Sequence, residues 1–181
     1  NKPNEKKYLK EVEKDLESLN IISERFNKIG SKPKLDKVNI YDEIERTLDY
    51  LRARLSKKIE LEVDCSKQEI YVLLNKQLFS WSLENIIKNS IDAIKDRGKV
   101  TVSIKKIDEY VNIYIIDNGV GINKSIKNKI FKPGVTTKER GWGLGLSLAK
   151  RIIKEYHNGD IKVEESTIGK GTKMMIKLKG I

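Results

Sequence analysis

The sequence predicts a two-layer α/β sandwich, in which a mixed, mainly antiparallel sheet carries helices on one face and a long N-terminal helix comes first. Three observations predict it. Helical and strand-like apolar periodicities are mixed along the chain without the regular alternation of a parallel fold. Several strands are joined by turns too short for a crossover helix, so those strands pair antiparallel. Apolar residues (38%) and charged residues (35%) follow clean periodicities, which argues against disorder.

The N-terminal segment has the pattern of a helix with a narrow apolar stripe. Apolar residues recur at steps of three and four from Leu9 to Ile29, with Lys and Glu between them. This pattern is typical of a bundle or coiled-coil seam, and it ends at a glycine followed by Pro33. We expect a self-associating helix over residues 1–30, a linker over 31–37 and a globular domain over 38–181. Packing of the helix on its own domain is the alternative.

The first half of the globular domain combines short strands with two amphipathic helices. A strand over 37–40 precedes a helix over 41–55, in which Ile44, Leu48, Leu51 and Leu55 share one face. Residues 59–63 alternate strictly between apolar and polar, as in a half-buried strand, and residues 70–74 form another short strand. Residues 75–95 form a long helix whose inward side chains are Phe79, Leu83, Ile86, Ile87 and Ile94.

The second half is dominated by hairpins and by glycine. Residues 100–107 and 111–116 alternate around a short polar turn, which predicts a hairpin. A glycine-punctuated region then runs from 117 to 145 and leads into a helix over 146–156. A last hairpin is predicted from strands 161–165 and 173–178.

Composition excludes some classes of function and leaves others open. A single cysteine, Cys65, and a single histidine, His157, exclude an intrachain disulfide and a Cys/His zinc site within one chain. No apolar run approaches the roughly 18 to 20 residues that span a bilayer. The net charge of +11 indicates either an anionic partner or solvated lysine faces. Aromatic residues do not cluster among basic ones, so nucleic-acid binding ranks last.

One cluster with chemical potential directly follows a predicted strand, at Asp117–Ile122. Its two glycines, Gly119 and Gly121, permit unusual backbone conformations and let a ligand approach the main chain. Asp117 is flanked by apolar residues, and such a carboxylate accepts strongly from an amino group, for instance the exocyclic amine of adenine. An Asp-Asn-Gly sequence is also a common turn, so this cluster alone decides nothing.

A second cluster, Gly141–Leu146, alternates glycines just before a predicted helix. Free N–H groups at a helix N-terminus attract anions. Neither a dinucleotide-binding fingerprint nor a phosphate-binding P-loop fits the surrounding sequence.

The third cluster lies on the long helix, where Asn85 and Asn89 are four residues apart and face one side, with Asp92 and Ala93 a turn further on. An amide oxygen is a reasonable ligand for a Mg²⁺ ion that also holds phosphates, with solvated surface as the alternative.

Together, in this order, these clusters resemble the ATP-binding domain of sensor histidine kinases, within the superfamily shared with gyrase B subunits, mismatch-repair ATPases and heat-shock chaperones. The N box, two glycine boxes and terminal Gly-x-Gly-Thr element of that family match Asn85–Asn89, Asp117–Ile122, Gly141–Leu146 and Gly169–Thr172. Its F box and lid match Ile130–Pro133 and Thr136–Lys138. The resemblance covers roughly residues 38–178.

The resemblance implies Mg²⁺ and ATP as the ligands. It implies Asn89 as the metal ligand, Asn85 and Lys138 as further catalytic residues, Asp117 on the adenine amine with Thr172 in support, and a mobile lid over 123–142. The implied nucleotide-binding set is Asn85, Asn89, Asp92, Ala93, Asp117, Gly119, Gly121, Ile122, Thr136, Thr137, Lys138, Arg140, Gly141, Trp142, Gly143, Leu144, Gly145, Leu146 and Thr172.

Two positions carry special weight within the resemblance. Many of these kinases have a basic residue three positions after the magnesium Asn, where this chain has Asp92; the basic phosphate contact is then expected from Lys138, Arg140 or Lys88. The hydrolysing branch has a Glu four positions before that Asn, where this chain has Asn85, which cannot act as a base. Glu84 is about 100° away around the helix. This favours phosphoryl transfer over hydrolysis.

The resemblance therefore implies the catalytic part of a two-component sensor histidine kinase, a cytoplasmic transferase that phosphorylates a histidine on an acceptor helix absent from this chain. The N-terminal helix is then the second helix of a dimerising acceptor hairpin, and a response regulator receiver domain is the expected partner. We expect no nucleic-acid partner and no membrane contact by this fragment. His157 is expected to be structural, as a helix-end cation or hydrogen-bond donor. A regulatory ATP-binding module, or an ATPase of the superfamily, is the alternative.

Overall fold

The fold is that of a computed structural model, which describes residues 33–65, 69–138 and 141–181. The chain divides into two units, Asn1–Lys34 and Leu35–Ile181, and the second contains nearly all of the described residues. The predicted N-terminal helix over 1–30 lies outside the described residues, so it stays a prediction.

The elements of the second unit follow the predicted order closely. The strands are β1 (Asp36–Asn39), β2 (Ile59–Val63), β3 (Tyr71–Leu74), β4 (Gly98–Ile107), β5 (Tyr110–Asp117), β6 (Asp160–Thr167) and β7 (Gly171–Lys179). The helices are α1 (Ile40–Arg52), α2 (Lys76–Asp92), α3 (Lys124–Lys127) and α4 (Gly145–Arg151), which continues as a π-helical turn (Ile152–Tyr156). The short α3 has no counterpart in the predicted elements, and the predicted helix over 146–156 corresponds to α4 together with the π-helical turn.

Both long helices begin at an asparagine cap. The Asn39 side chain accepts from the N–H groups of Tyr41 (2.9 Å) and Asp42 (3.3 Å), and the Asn75 side chain accepts from Leu78 N–H at 3.1 Å. Each cap satisfies backbone donors that have no partner inside the helix. The two caps therefore fix where α1 and α2 start, one residue away from the predicted positions.

The main sheet has five strands in the order β2-β4-β5-β7-β6. The β2–β4 pair is parallel and the other three pairs are antiparallel, which confirms the prediction of a mixed, mainly antiparallel sheet. β1 and β3 do not join it; they form a separate two-stranded antiparallel sheet. The inward-facing side chains of β4, β5 and β7 pack on α1, α2 and α4 in one apolar core.

The sheet face away from the helices has a different cover. Tyr114 and Met175 point to that face, since their strand neighbours face the core, yet they are only 8% and 7% exposed. The ammonium groups of Lys173 and Lys105 lie 4.6 Å and 6.0 Å from the centre of the Tyr114 ring. Lys177 lies 3.6 Å from the Tyr110 ring centre. Long lysine side chains thus cover the aromatic residues of this open face.

Candidate nucleotide-binding site

Asp117 ends β5 at the centre of the sheet, and its carboxylate is 6% exposed. It accepts a hydrogen bond from Gly119 N–H at 2.9 Å. Burial raises the pKa of Asp117, while hydrogen bonds from Gly119, the Ser90 hydroxyl and the Thr172 backbone act in the opposite direction. A desolvated carboxylate in this setting gains strongly from an amino-group donor. These features are compatible with the predicted contact between Asp117 and an adenine amine.

Ser90 was not among the predicted site residues, although it is 4% exposed and hydrogen-bonds Asp117. It follows Asn89 directly on α2, so neighbouring residues of one helix serve two parts of the site. Its burial and its bond to Asp117 are properties of the fold, so no feature of the sequence distinguishes this serine.

The glycines of the Asp117–Ile122 loop serve close packing inside the protein. A Cβ atom on Gly119 would lie 2.7 Å from the Ala93 carbonyl oxygen, and one on Gly121 would lie 2.2 Å from the Thr167 carbonyl oxygen. Gly121 also has a φ of +74°. A side chain at Gly119 would therefore meet the Ala93 backbone just after α2, and one at Gly121 would meet the β6–β7 hairpin, so both glycines have a packing role beside the predicted approach of a ligand to the main chain.

A second serine outside the predicted set ties this loop to the last hairpin. Ser166 accepts from Ile122 N–H at 2.8 Å, and its hydroxyl lies 2.9 Å from that of Thr172. Thr172 is paired with Asp117 in the register of β5 and β7. The end of the site that is predicted to bind the adenine base, here called the base end, is therefore built from β5, β6, β7 and α2 together.

The α2 face beside this loop carries the predicted asparagines. The Asn89 side-chain Nδ2 donates to the Asn85 backbone oxygen at 2.9 Å, which directs the Asn89 Oδ1 atom outward. The Nδ2 atom of Asn85 is buried and has no hydrogen-bond partner among the described residues. A Cβ atom on Gly145 would lie 3.2 Å from the Asn85 Oδ1 atom. A buried donor without a partner fits a phosphate oxygen, so Asn85 suits its predicted role.

Lys138 reaches the same face of α2 from the lid. Its ammonium nitrogen donates to the Asn89 Oδ1 atom at 2.8 Å and to the Asp92 Oδ2 atom at 2.6 Å. The Lys138 side chain is 41% exposed and that of Asp92 is 53% exposed. The structure thus brings Lys138 and Gly145 to Asn85, Asn89 and Asp92 of α2, which lie at least 46 residues earlier in the sequence.

The second glycine cluster, Gly141–Leu146, lies at the C-terminal end of the predicted lid. Gly143 has a φ of +63°, its carbonyl accepts from Gly134 N–H at 3.1 Å, and a Cβ on it would lie 2.6 Å from the Gly134 backbone. Trp142 is 51% exposed. α4 starts at Gly145 after Leu144, and no side chain caps its first turn, which leaves those amides to a ligand.

The remaining predicted residues belong to the lid or border the cluster. Thr136 accepts from Lys138 N–H at 3.1 Å, and Thr137 is exposed. Leu146 packs against the core, and Ala93 accepts from Val120 N–H at 2.9 Å. Arg140 lies outside the described residues. Ile130 is 7% exposed, so the first half of the predicted lid is anchored to the domain.

The family model described as "Histidine kinase-, DNA gyrase B-, and HSP90-like ATPase" matches residues 77–180, a range that contains all three clusters. The chain belongs to this ATPase family. Membership implies ATP binding, and the buried acceptor Asp117 and the unpartnered donor of Asn85 fit that ligand.

Among curated proteins, the chain is similar to sporulation kinase D of Bacillus subtilis, with 32% identity over 178 residues that cover 94% of this chain and 34% of that protein. It is also 32% identical over 166 residues to the signal transduction histidine-protein kinase AtoS of Escherichia coli, covering 89% of this chain and 27% of AtoS. The chain thus spans about a third of the length of these relatives.

Solved structures support the same fold. The catalytic domain of histidine kinase ThkA superposes with a TM-score of 0.73 at 24% identity, covering 81% of this chain and 96% of that one. ThkA in complex with the response regulator TrrA gives a TM-score of 0.76 at 22% identity, covering 96% of this chain and 50% of that one. Within the described ranges, no helix is long and apolar enough to cross a membrane.

Proposed function

We propose that this chain is the catalytic part of a two-component sensor histidine kinase, which binds Mg²⁺-ATP and transfers the γ-phosphoryl group to a histidine of an acceptor helix. In that transfer a bond forms between an imidazole nitrogen and the γ-phosphorus, the bond from that phosphorus to the bridging oxygen breaks, and ADP leaves. The kinase names among the relatives support this proposal.

The observation that carries the proposal is Asn85. Its side chain faces the Gly145 end of the site, one turn before Asn89, where a hydrolysing enzyme needs a base for water. An amide cannot take a proton from water, whereas its buried Nδ2 donor suits a phosphate oxygen. Phosphoryl transfer depends mainly on positioning and charge neutralisation, which these groups can supply.

The other site residues have distinct proposed roles. Asp117 orients the adenine through its amino group, and the Thr172 pair supports it. Asn89 offers its Oδ1 atom to a magnesium ion, which would neutralise phosphate charge when bound. Lys138 supplies the basic charge that the family usually places at the position of Asp92. The amides of the Gly143–Leu146 turn complete the phosphate contacts.

His157 is not the phosphoacceptor in this proposal. It is 5% exposed, and both ring nitrogens are engaged: Asn75 N–H donates to Nε2 at 3.1 Å, and Nδ1 lies 3.0 Å from the Ile152 oxygen. These two bonds describe a neutral imidazole with its proton on Nδ1, and burial lowers the pKa of His157. Of the two predicted structural roles, helix-end cation or hydrogen-bond donor, these contacts support the hydrogen-bond donor.

We further infer a homodimer formed through the N-terminal helix, a response regulator receiver domain as the recipient of the phosphoryl group, and a cytoplasmic location. The apolar stripe of residues 9–29 supports the dimer. Replacing Leu16 and Leu19 by Glu should shift the chain to monomer in sedimentation experiments, with ATP affinity retained. A wild-type chain that is already monomeric at high concentration would contradict the dimer.

The decisive experiment supplies the acceptor hairpin of the parent kinase in trans with radiolabelled γ-ATP. The chain should phosphorylate that hairpin, and the label should survive alkali and be lost in acid, as phosphohistidine requires. Asn89→Ala should reduce transfer by at least 100-fold, because it removes a ligand that holds the charge-neutralising cation. Asn112→Ala, on the sheet face away from the helices, is the matched control and should transfer normally.

Two results would contradict the proposal. Label that is stable on His157 of the isolated chain would make this chain its own acceptor. Rapid release of inorganic phosphate by the chain alone would place it with the ATP-hydrolysing members of the family.

A further inference from the structure

The contact between Lys138 and α2 places an ammonium group on the atom proposed to hold the divalent cation. The Lys138 Nζ atom lies 2.8 Å from the Asn89 Oδ1 atom and 2.6 Å from the Asp92 Oδ2 atom. Asn89 cannot rotate its oxygen away freely, because its Nδ2 atom is bonded to the Asn85 backbone oxygen at 2.9 Å. One outward-facing amide oxygen therefore serves the ammonium.

An ammonium and a magnesium ion exclude each other at this oxygen. Magnesium binds its oxygen ligands at about 2.0–2.1 Å, so an ammonium on the second lone pair of the same oxygen would lie roughly 4 Å from the metal, where the two cations repel each other strongly. Lys138 must leave the Asn89 Oδ1 atom before a metal binds there.

Asp92 keeps the ammonium at this place. It lies three residues after Asn89 on α2, so both side chains share one helical face. Lys138 belongs to an exposed segment, and its own N–H donates to the Thr136 hydroxyl within that segment. Without the carboxylate, the long lysine side chain would be confined by a single amide contact.

We propose that Lys138 is a resident cation of the site, positioned by Asp92, which holds the Asn89 oxygen until a divalent cation arrives with the nucleotide. In this arrangement Lys138 balances phosphate charge when metal is scarce, and metal takes over that task at Asn89. The inference rests on the proposed magnesium role of Asn89. Asp92 is a positioning residue, since it acts on the nucleotide through Lys138.

The first measurement uses the nucleotide-free protein and reports on positioning. Trp142, four residues from Lys138, is 51% exposed, whereas Trp81 is buried, so acrylamide quenches Trp142 selectively. The quenchable component is followed by time-resolved anisotropy. The amplitude of its local nanosecond motion should rise about two- to fivefold in Lys138→Met and in Asp92→Asn, because the loss of an exposed ion pair changes a population by about this factor. Lys132→Met, an exposed lysine of the same segment, should leave that motion unchanged.

The second measurement compares ADP affinity in Mg²⁺ with ADP affinity in a chelator, by calorimetry. The dissociation constant in chelator divided by the dissociation constant in Mg²⁺ should rise about tenfold in Lys138→Met. That variant loses one charge-assisted bond to phosphate, and it loses this bond mainly when metal is absent. Lys132→Met should keep the wild-type ratio. A lysine that contacts phosphate equally in both conditions would weaken both affinities alike and leave the ratio unchanged.

Some outcomes overturn the inference and others overturn the proposed function. An unchanged ratio in Lys138→Met would contradict the role of Lys138 as a resident cation. Unchanged Trp142 motion in Asp92→Asn would contradict the positioning role of Asp92. A wild-type chain whose ADP affinity does not respond to Mg²⁺ removes the magnesium role of Asn89 instead. The Trp142 measurement is independent of that result, since it uses neither nucleotide nor metal.

Discussion

The two ends of the proposed site, the base end assigned to adenine and the phosphate end assigned to the phosphates, are built in different ways. At the base end, Asp117 lies at the end of a central strand, buried and bonded from α2, β7 and its own loop. At the phosphate end, the contacts are made by half-exposed side chains such as Asp92 and Lys138, and one partner lies in the lid. The base end is therefore formed before ligand binds, whereas the phosphate end depends on which cation occupies it.

The largest expected effect tests whether the base end is rigid and the lid end tolerant. Gly121 and Gly134 both have a positive φ, +74° and +80°, but a Cβ on Gly121 would meet the Thr167 oxygen and one on Gly134 meets nothing within 4 Å. Gly121→Ala should lower the free energy of unfolding by about 3 kcal/mol or more, since strain and overpacking add. Gly134→Ala should cost only about 1–2 kcal/mol. Urea unfolding measures both losses of free energy. Equal losses would contradict the difference in rigidity between the two ends.

A smaller effect tests base recognition. Asp117→Asn should weaken ATP by about 10- to 100-fold, because the adenine amine loses a charged acceptor in a desolvated site. GTP should be affected less, since guanine presents a carbonyl there. Calorimetric titration of both nucleotides checks this, with Asp96→Asn as an exposed control. Unchanged ATP affinity would mean that the base end recognises adenine by other groups.

The smallest effect concerns the helix that both ends share. His157 holds the N–H of Asn75, the cap of α2, and burial lowers its pKa from 6.5. The unfolded chain then binds a proton more readily than the fold, so the contribution of His157 to stability is complete above about pH 6.5 and is lost as the pH falls below it. We expect a loss of about 1 kcal/mol between pH 7 and pH 5.5.

The control for this effect is His157→Gln, which removes the only imidazole of the sequence. Its stability should be flat across that pH range, measured by thermal or urea unfolding. Trp142 emission of the folded wild-type protein should also stay constant, because the described partners of His157 are Asn75, Ile152 and Phe79, which lie outside residues 123–142. A pH dependence that persists in the variant would assign the effect to carboxylates.

Much of the fold followed from local patterns, because burial on one face leaves a period in the sequence. The hairpin of β4 and β5 turns at Asp108, as its polar turn predicts, and the last hairpin is likewise where its alternation places it. The separate β1–β3 sheet could not be predicted in this way, since periodicity reports which face is buried and not which strand is the neighbour.

The candidate site shows the same limit. Asn85, Asn89 and Asp117 were predicted because unusual residue types stand at characteristic spacings. Ser90 and Ser166 were missed, because the partners that tie them to the Asp117–Ile122 loop, Asp117 and Ile122, lie 27 and 44 residues away and a serine is ordinary in either element. The partner of Lys138 could not be predicted either: its contacts with Asn89 and Asp92 exist only once the lid returns to α2.

The lysine cover of the open sheet face has a consequence for the net charge of the chain. A sandwich of two layers leaves one side of its sheet without a second layer, and here the methylene stems of Lys105, Lys173 and Lys177 lie over Tyr114 and Tyr110. Part of the +11 charge thus comes from lysine residues whose side chains shield this sheet face from water. Such a coat repels its own copies, so the positive charge keeps neighbouring molecules from stacking sheet to sheet.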